Sequence, residues 1–308
     1  MGSGLAGALR RAGDYHRLVD YGIALPNFPD GASPEGIEAA AEVAERLGWS
    51  TVWTTDHVLV PDADRGDYGR IYEAILTLAW VGARHPNLRL GTSVIVVPQR
   101  NAVILAKELA TLDSLSGGRV DAGVGIGWNR VEYANLGVAD RFHVRGAYLD
   151  ETIRLWRHLW SGSSDPFLGR FHTIEDFAFE PLPAQPNLPI VIGGRAERAL
   201  RRAGELADGY QATSTSPATF AERIPIIAAA ADAAGRPRPS LGARVRVEFD
   251  AATDSSYAMR GSPDEIAAEV RAFAQVGVTH LALYFATTDP AEIVARAERF
   301  ANEVVPLA

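Results

Sequence analysis

The feature that most limits the possible folds is a unit that the chain repeats: a short β-branched strand, a polar turn and an amphipathic helix. The pattern predicts strands at residues 21–28, 51–58, 88–97, 119–127, 189–194, 209–213, 242–250 and 280–286. It predicts helices at residues 34–47, 71–84, 101–115, 147–161, 196–207, 217–234, 263–276 and 290–304. Eight strands that are each followed by a helix indicate an α/β fold of the (β/α)8 TIM-barrel type.

The strand cores support a barrel because they are nearly continuous apolar runs, as in parallel strands that are covered on both faces. An open, doubly wound sheet is the main alternative, but no GxGxxG follows the first strand and no break in composition divides the chain. We therefore expect a single domain over residues 21–308, after an N-terminal extension at residues 1–20. Two insertions are expected, at residues 128–146 after the fourth strand and 161–188 before the fifth, with a small hairpin over 167–180.

Composition removes several classes of function. The chain of 308 residues has no cysteine, which excludes thiolate catalysis and cysteine-bound zinc. Its seven histidines never occur as HxH or HxxxH, so no metal site is predicted. The net charge of −8 argues against nucleic acid as a partner. No apolar run is long enough for a transmembrane helix or a secretory signal, so we expect a cytoplasmic protein without membrane contact.

The fourth predicted strand ends in alternating glycines at Gly123, Gly125 and Gly127, followed by Trp128 and Glu132. Glycine at such a strand end lets the backbone approach something flat or anionic. A crowded barrel corner that needs glycine for packing alone explains the pattern equally well.

Polar side chains stand at the ends of two further strands. Asp56 and His57 end the second strand, where a histidine beside a carboxylate can hold and move a proton; a loop cap is the alternative. Ser93–Val94 lies inside the aliphatic third strand, where it forms either a bulge that points at a ligand or a serine bonded to neighbouring backbone.

The fifth strand ends in Gly193, Gly194 and Arg195 at the start of a helix, which Ala196 opens. Free backbone N–H groups at a helix N-terminus bind anions, and Arg195 can add a charge-assisted contact. A tight turn between strand and helix is the alternative.

Taken in order, five segments resemble the bacterial luciferase-like superfamily of flavin and deazaflavin barrels, and most closely its branch that uses coenzyme F420. The segments are TDHV (55–58), RLGTSVIVVPQRN (89–101), AKELATLDSLSGGRV (106–120), GVGIGWNRVE (123–132) and IVIGGRAERALRRAGELADGY (190–210). The resemblance implies a three-ring redox cofactor at the C-terminal face of the barrel, with His57 as the catalytic proton donor or base. It also implies a cis peptide at Ser93–Val94 behind the central ring. The cofactor-binding residues are predicted to be Asp56, Ser93, Val94, Val96, Gly127, Gly193, Gly194, Arg195 and Ala196.

One departure from the resembled branch concerns the substrate. Its sugar-phosphate dehydrogenases have a carboxylate just after the GxG strand end, where this chain has Trp128, and their lysines for a substrate phosphate are absent. We therefore expect an apolar or aromatic substrate, in a pocket that includes Trp128 and Glu132.

These observations favour a hydride-transferring oxidoreductase that depends on coenzyme F420. An FMN-dependent monooxygenase on the same barrel is the first alternative, and a barrel that binds the cofactor without catalysis is the second. Because members of the resembled family commonly pair, we also expect a homodimer.

Overall fold

The computed structural model describes residues 19–28, 30–249 and 256–308. Most of the predicted N-terminal extension, and the predicted end of the seventh strand at Asp250, lie outside these residues. Val19 is already buried and Asp20 begins the first strand.

Eight parallel strands form a closed barrel. The described residues contain twelve strands in all: β1 (Asp20–Ala24), β2 (Thr51–Thr54), β3 (Arg89–Thr92), β4 (Ile95–Val96), β5 (Val120–Gly125), β6 (Phe167–Leu168), β7 (Thr173–Ile174), β8 (Ile190–Gly193), β9 (Gly209–Thr213), β10 (Ser240–Phe249), β11 (Met259–Gly261) and β12 (His280–Tyr284). The barrel order is β1, β2, β3, β5, β8, β9, β10 and β12, and β12 pairs with β1 to close the ring. The predicted TIM barrel is confirmed.

Helices follow the barrel strands and cover them from outside. The helices of the described residues are α1 (Pro34–Arg46), α2 (Arg65–Tyr68), α3 (Ala74–Arg84), α4 (Ala102–Ser116), α5 (Arg130–Asn135), α6 (Arg145–Trp160), α7 (Glu197–Leu206), α8 (Pro217–Ala233), α9 (Pro263–Gln275) and α10 (Pro290–Arg299), of which α2 and α5 are short and lie in connections. Ser33 and Ser262 cap α1 and α9, each followed by proline at the first helical position. The short helix α5 lies in the first insertion, and the hairpin of the second insertion is the antiparallel pair β6–β7.

The third barrel strand differs from the prediction of one continuous strand over 88–97. Leu90 pairs with Val120, an offset of 120 − 90 = 30 residues, whereas Ile95 pairs with Val124, an offset of 124 − 95 = 29. One extra residue is therefore accommodated between β3 and β4, which makes a bulge. The Ser93–Val94 peptide in this bulge is cis, as the resemblance implied.

Polar and aromatic side chains lie in the lumen near the N-terminal ends of the strands. The Trp53 indole donates to His280 Nε2 at 2.9 Å, and the Arg89 guanidinium binds both carboxylate oxygens of Asp121 at 2.7 and 2.8 Å. A Cβ on Gly91 would lie 2.3 Å from the Trp53 ring, so glycine is needed there to admit the indole. At this end of the barrel these side chains pair with one another and line a cavity of about 190 Å³.

Candidate active site

The bulge between β3 and β4 forms a platform at the C-terminal mouth of the barrel, and the glycines of neighbouring strands hold it. A Cβ on Gly125 would lie 2.5 Å from Val94 Cγ2, and a Cβ on Gly193 would lie 2.6 Å from Val94 Cγ1. The side chain of Val94 therefore occupies the space that these glycines leave open. Gly127, at φ +63°, makes the same kind of room for Val96 Cγ1 at 2.6 Å. The glycines therefore make room for the side chains of the bulge. The bulge itself lies at the mouth.

Asp56 anchors the platform from below. Its carboxylate accepts a hydrogen bond from the Val96 N–H at 2.9 Å and pairs with Arg100 at 2.6 Å. Arg100 also binds Glu73 at 2.9 Å. The predicted contact of Asp56 with the cofactor stays a prediction; in the structure its buried side chain contacts the bulge through Val96 and binds Arg100.

A buried histidine–carboxylate pair stands at the end of β2. His57 Nδ1 lies 2.9 Å from Glu132 Oε2. The other oxygen of Glu132 accepts from the Val58 N–H at 2.7 Å, and Gln99 Nε2 donates to Oε2 at 3.1 Å. Helix α5 carries Glu132 to this position, and Asn129 caps that helix.

The contacts of Glu132 fix its ionisation. Burial pushes the pKa of this carboxyl upward, but the His57 ring, the Val58 amide and the Gln99 amide outweigh burial and lower the pKa to about 2. Glu132 is therefore a carboxylate at neutral pH and accepts a hydrogen bond from the Nδ1–H of His57. The Nε2 atom of His57 has no hydrogen-bond partner among the described residues and is left to exchange a proton.

Glu132 was predicted to line the substrate pocket. Only 1% of the residue is exposed, and its oxygens are engaged by His57, Gln99 and backbone amides. It lies behind His57 and orients the ring, because a carboxylate that accepts from Nδ1–H sets the tautomer of an imidazole.

Aromatic rings surround His57 on its open side. The ring of Tyr68 lies 4.4 Å from the His57 ring between centroids, and Trp128 lies at 5.9 Å. Trp128 is 55% exposed, which leaves most of its indole available to a ligand. Its place in a substrate pocket stays a prediction.

The turn after β8 leaves backbone amides open. Helix α7 has Ala196 at its N-cap, which supplies no side-chain acceptor, whereas serine, asparagine or an acidic residue caps α1, α3, α4, α8, α9 and α10. Gly194 has φ +136°, a conformation that favours glycine, and residues 194–198 are exposed. An uncapped helix start of this kind suits an anion.

The described residues contain no group of three or more histidine, aspartate or glutamate side chains that could hold a metal ion. In the same part of the chain, no helix has both the length and the apolar character needed to cross a membrane.

The family model described as luciferase-like monooxygenase matches residues 19–258, most of the chain. The chain belongs to the luciferase-like monooxygenase family.

Individual members of this luciferase-like family differ in cofactor and reaction. An F420-dependent glucose-6-phosphate dehydrogenase of Nakamurella multipartita is 32% identical over 74% of this chain and 67% of that protein. The fold is shared with an F420-dependent secondary alcohol dehydrogenase, at a TM-score of 0.79 and 18% identity over 94% of this chain and 99% of the other. It is also shared with the FMN-bound oxygenating part of 3,6-diketocamphane monooxygenase from Pseudomonas putida, at 0.77 and 15% over 94% and 98%.

Sequence reasoning about this luciferase-like chain missed Arg244, a residue of β10 that lies at the mouth. Its Nη1 donates to the Ser93 carbonyl oxygen at 2.9 Å and to Thr55 Oγ1 at 2.7 Å. The alternation of β10, which reads ARVRVEF, contains the signal: a parallel barrel strand that alternates must turn its polar side chains into the lumen.

Proposed function

We propose that this chain is a coenzyme F420-dependent oxidoreductase that transfers a hydride between the deazaflavin and a small organic substrate. The observation that carries the proposal is that one barrel mouth combines a platform at Ser93–Val94 with the buried pair of His57 and Glu132. The relative from Nakamurella multipartita and the structural neighbour that binds an F420–acetone adduct support the choice of cofactor.

The residues present fit such a cofactor on two counts. The glycine-backed bulge offers a surface of peptide and small side chains on which Ser93, Val94, Val96 and Gly127 would hold the ring. The uncapped start of α7 would hold the phosphate side of the cofactor through its free amides, with Gly193, Gly194, Arg195 and Ala196. When bound, the cofactor supplies or accepts the hydride.

His57 is the catalytic residue of the chain itself in this proposal. Glu132 holds the Nδ1–H of His57, so that Nε2 gives a proton to the substrate oxygen when a carbonyl is reduced and takes it when an alcohol is oxidised. Asp56 is a positioning residue, because it acts through Val96 and Arg100.

We propose an apolar or aromatic substrate rather than a sugar phosphate. Lys107, the only lysine of the chain, donates to the Glu180 carbonyl oxygen and lies 4.3 Å from the centre of the Phe179 ring. It is therefore engaged on α4 rather than in the mouth. The exposed indole of Trp128 favours a planar apolar surface in its place.

Binding experiments with both cofactors test the proposal. Cofactor-free protein is titrated with coenzyme F420 and, separately, with FMN, and the dissociation constants are compared. We expect coenzyme F420 to bind at least tenfold more tightly, and alcohols or ketones to change the absorbance of the bound deazaflavin. If neither cofactor binds, the proposed function is wrong.

An FMN-dependent monooxygenase is the second candidate, because the FMN-bound diketocamphane monooxygenase has the same fold. Equal or tighter FMN binding, with oxygen consumption after reduction of the flavin, would favour it. If the cofactor binds but no substrate is turned over, the non-catalytic carrier becomes the better explanation. A cytoplasmic location and a homodimer remain parts of the proposal.

A further inference from the structure

Arg244 is a buried cation that crosses the lumen of the barrel. It belongs to β10, the seventh barrel strand, and reaches the Ser93 carbonyl oxygen on the third, on the opposite side of the ring of eight. Only 8% of the residue is exposed, and burial lowers the pKa of its guanidinium. Arg244 thus forms part of the floor of the mouth, beside the platform.

No carboxylate among the described residues neutralises this cation. Nearby arginines are paired, Arg100 with Asp56 at 2.6 Å and Arg246 with Glu248 at 2.8 Å. Arg244 binds only the neutral oxygens of Ser93 and Thr55, both through Nη1. Its Nε and Nη2 atoms donate to no described residue, and neither is among the fully enclosed unpartnered atoms, so they border accessible space. A buried charge of this kind calls for an anionic partner.

A continuous wall of aromatic rings leads from the surface to Arg244. Trp128 contacts His57, His57 contacts Tyr68, Tyr68 stacks on Phe28 at 6.0 Å and Phe28 stacks on Tyr284 at 5.5 Å between ring centres. The guanidinium carbon of Arg244 lies 5.3 Å from the centre of Phe28 and 5.7 Å from that of Tyr284. The wall begins at an exposed indole, passes the catalytic histidine and ends at a cation.

We propose that the substrate is a planar, apolar molecule with one carboxylate, and that Arg244 binds this carboxylate while the rings pack on its body. The proposal rests on the proposed function, whose substrate class it names. A planar guanidinium can bind a carboxylate through two N–H groups, and aromatic side chains stack on a planar body.

The test compares two probes of the same shape and different charge, trans-cinnamate and its neutral amide, cinnamamide. Dissociation constants are measured by calorimetry at low and moderate salt, with and without bound cofactor. We expect wild-type protein to bind cinnamate at least tenfold more tightly than cinnamamide. This measurement needs no variant, and equal affinities would overturn the proposal.

Variants locate the preference. We expect Arg244→Gln to remove the preference for cinnamate, Arg244→Lys to keep part of it, and Arg246→Gln to keep all of it, because Arg246 is paired with Glu248 on the same strand. Circular dichroism and thermal unfolding identify any variant that does not fold; if Arg244→Gln fails, Arg244→Lys and the wild-type comparison decide.

Other outcomes separate this inference from the proposed function. If Arg244→Gln weakens cofactor binding but leaves the preference for cinnamate unchanged, Arg244 binds or positions the cofactor ring and the inference is wrong. If wild-type protein binds neither cofactor but prefers cinnamate, the proposed function fails and the anion site stands.

Discussion

The two ends of the barrel differ in how far their polar side chains are paired. At the N-terminal end, Arg89 is bound by Asp121 and the Trp53 indole by His280, so the polar groups satisfy one another. At the C-terminal mouth, Arg244 pairs with no carboxylate of the described residues, and α7 begins without a side-chain cap. The N-terminal end thus holds paired groups, whereas the mouth holds paired groups, such as Asp56 with Arg100, together with groups that have no charged partner among the described residues. The difference teaches that the barrel is stabilised at one end and left ready for a ligand at the other.

The largest expected effect is on kcat, when one histidine at each end of the barrel is replaced by alanine. We expect His57→Ala to lower kcat by about 10²–10⁴-fold, because the proton partner is lost. His280→Ala should leave kcat near its wild-type value, since that ring lies against Trp53 at the far end. Turnover is followed by the absorbance of the deazaflavin with any accepted substrate. Equal losses in both variants would contradict the assignment of the mouth as the active site.

Acid unfolding compares a carboxylate at each end. The pKa of Glu132 falls from its ordinary value of 4.5 to about 2 in the folded chain, so its contribution is complete above about pH 4.5 and is lost as the pH falls toward 2. We expect this loss to reach about 3 kcal/mol in the free energy of unfolding. Urea unfolding between pH 2 and 6 measures it, and Glu132→Gln should remove this part of the pH dependence.

Asp20 supplies the matched carboxylate at the N-terminal end. Burial opposes its ionisation, but hydrogen bonds from His280 and Ser50 outweigh burial and lower its pKa. Because Asp20 is half exposed, solvent screens it, and we expect Asp20→Asn to change the acid unfolding curve less than Glu132→Gln does. The opposite ranking would show that Glu132 is not held as described.

Alanine substitutions of one tightly packed glycine at each end of the barrel extend the comparison to stability and cofactor binding. Gly125→Ala places a Cβ 2.5 Å from Val94, and Gly91→Ala places one 2.3 Å from the Trp53 ring. We expect each to lower the free energy of unfolding by about 1–3 kcal/mol. Only Gly125→Ala should also weaken cofactor binding, because only it displaces the platform. Thermal unfolding and cofactor titration measure both effects, with Gly66→Ala as control, where a Cβ meets nothing within 4 Å.

The smallest expected effect on stability concerns the side of the barrel, between its ends. Leu76 on α3 and Leu115 on α4 are 70% and 83% exposed. A homodimer that covers these two helices would cover neither end of the barrel. We expect Leu115→Glu to halve the mass measured by light scattering and to change the stability of the monomer by less than about 0.5 kcal/mol. Leu168→Glu, on the exposed hairpin strand β6, is the control. A wild-type monomer would contradict the predicted dimer.

Much of the fold could be predicted from the sequence because strand, turn and helix are specified locally. The strand at 209–213 has the predicted bounds, and Ser262 caps its helix as expected. The pattern left the bulge at Ser93–Val94 open beside a serine bonded to neighbouring backbone, because the residues around it are aliphatic; the resemblance added the cis peptide. Its one-residue change of register arises from pairing with β5, a non-local contact.

The site residues were harder to place than the strands. His57 was predicted from its position at a strand end, but its contact with Glu132, 75 residues further along the chain, has no local signal in the sequence. Arg244 was missed because the alternation of β10 looks like a strand with one solvated face. Only closure of the ring turns that face inward, and closure is a property of the whole chain.

Val94 occupies the space beside Gly125 and Gly193, and this tight fit limits how the protein can change. Parts of three strands fit together there without spare volume, so the surface under the cofactor resists alteration. Trp128 stands above it on a loop, more than half in solvent, where other side chains can be exchanged at little cost to folding. New substrate preferences can therefore evolve, or be engineered, at the rim while the redox chemistry beneath is inherited unchanged.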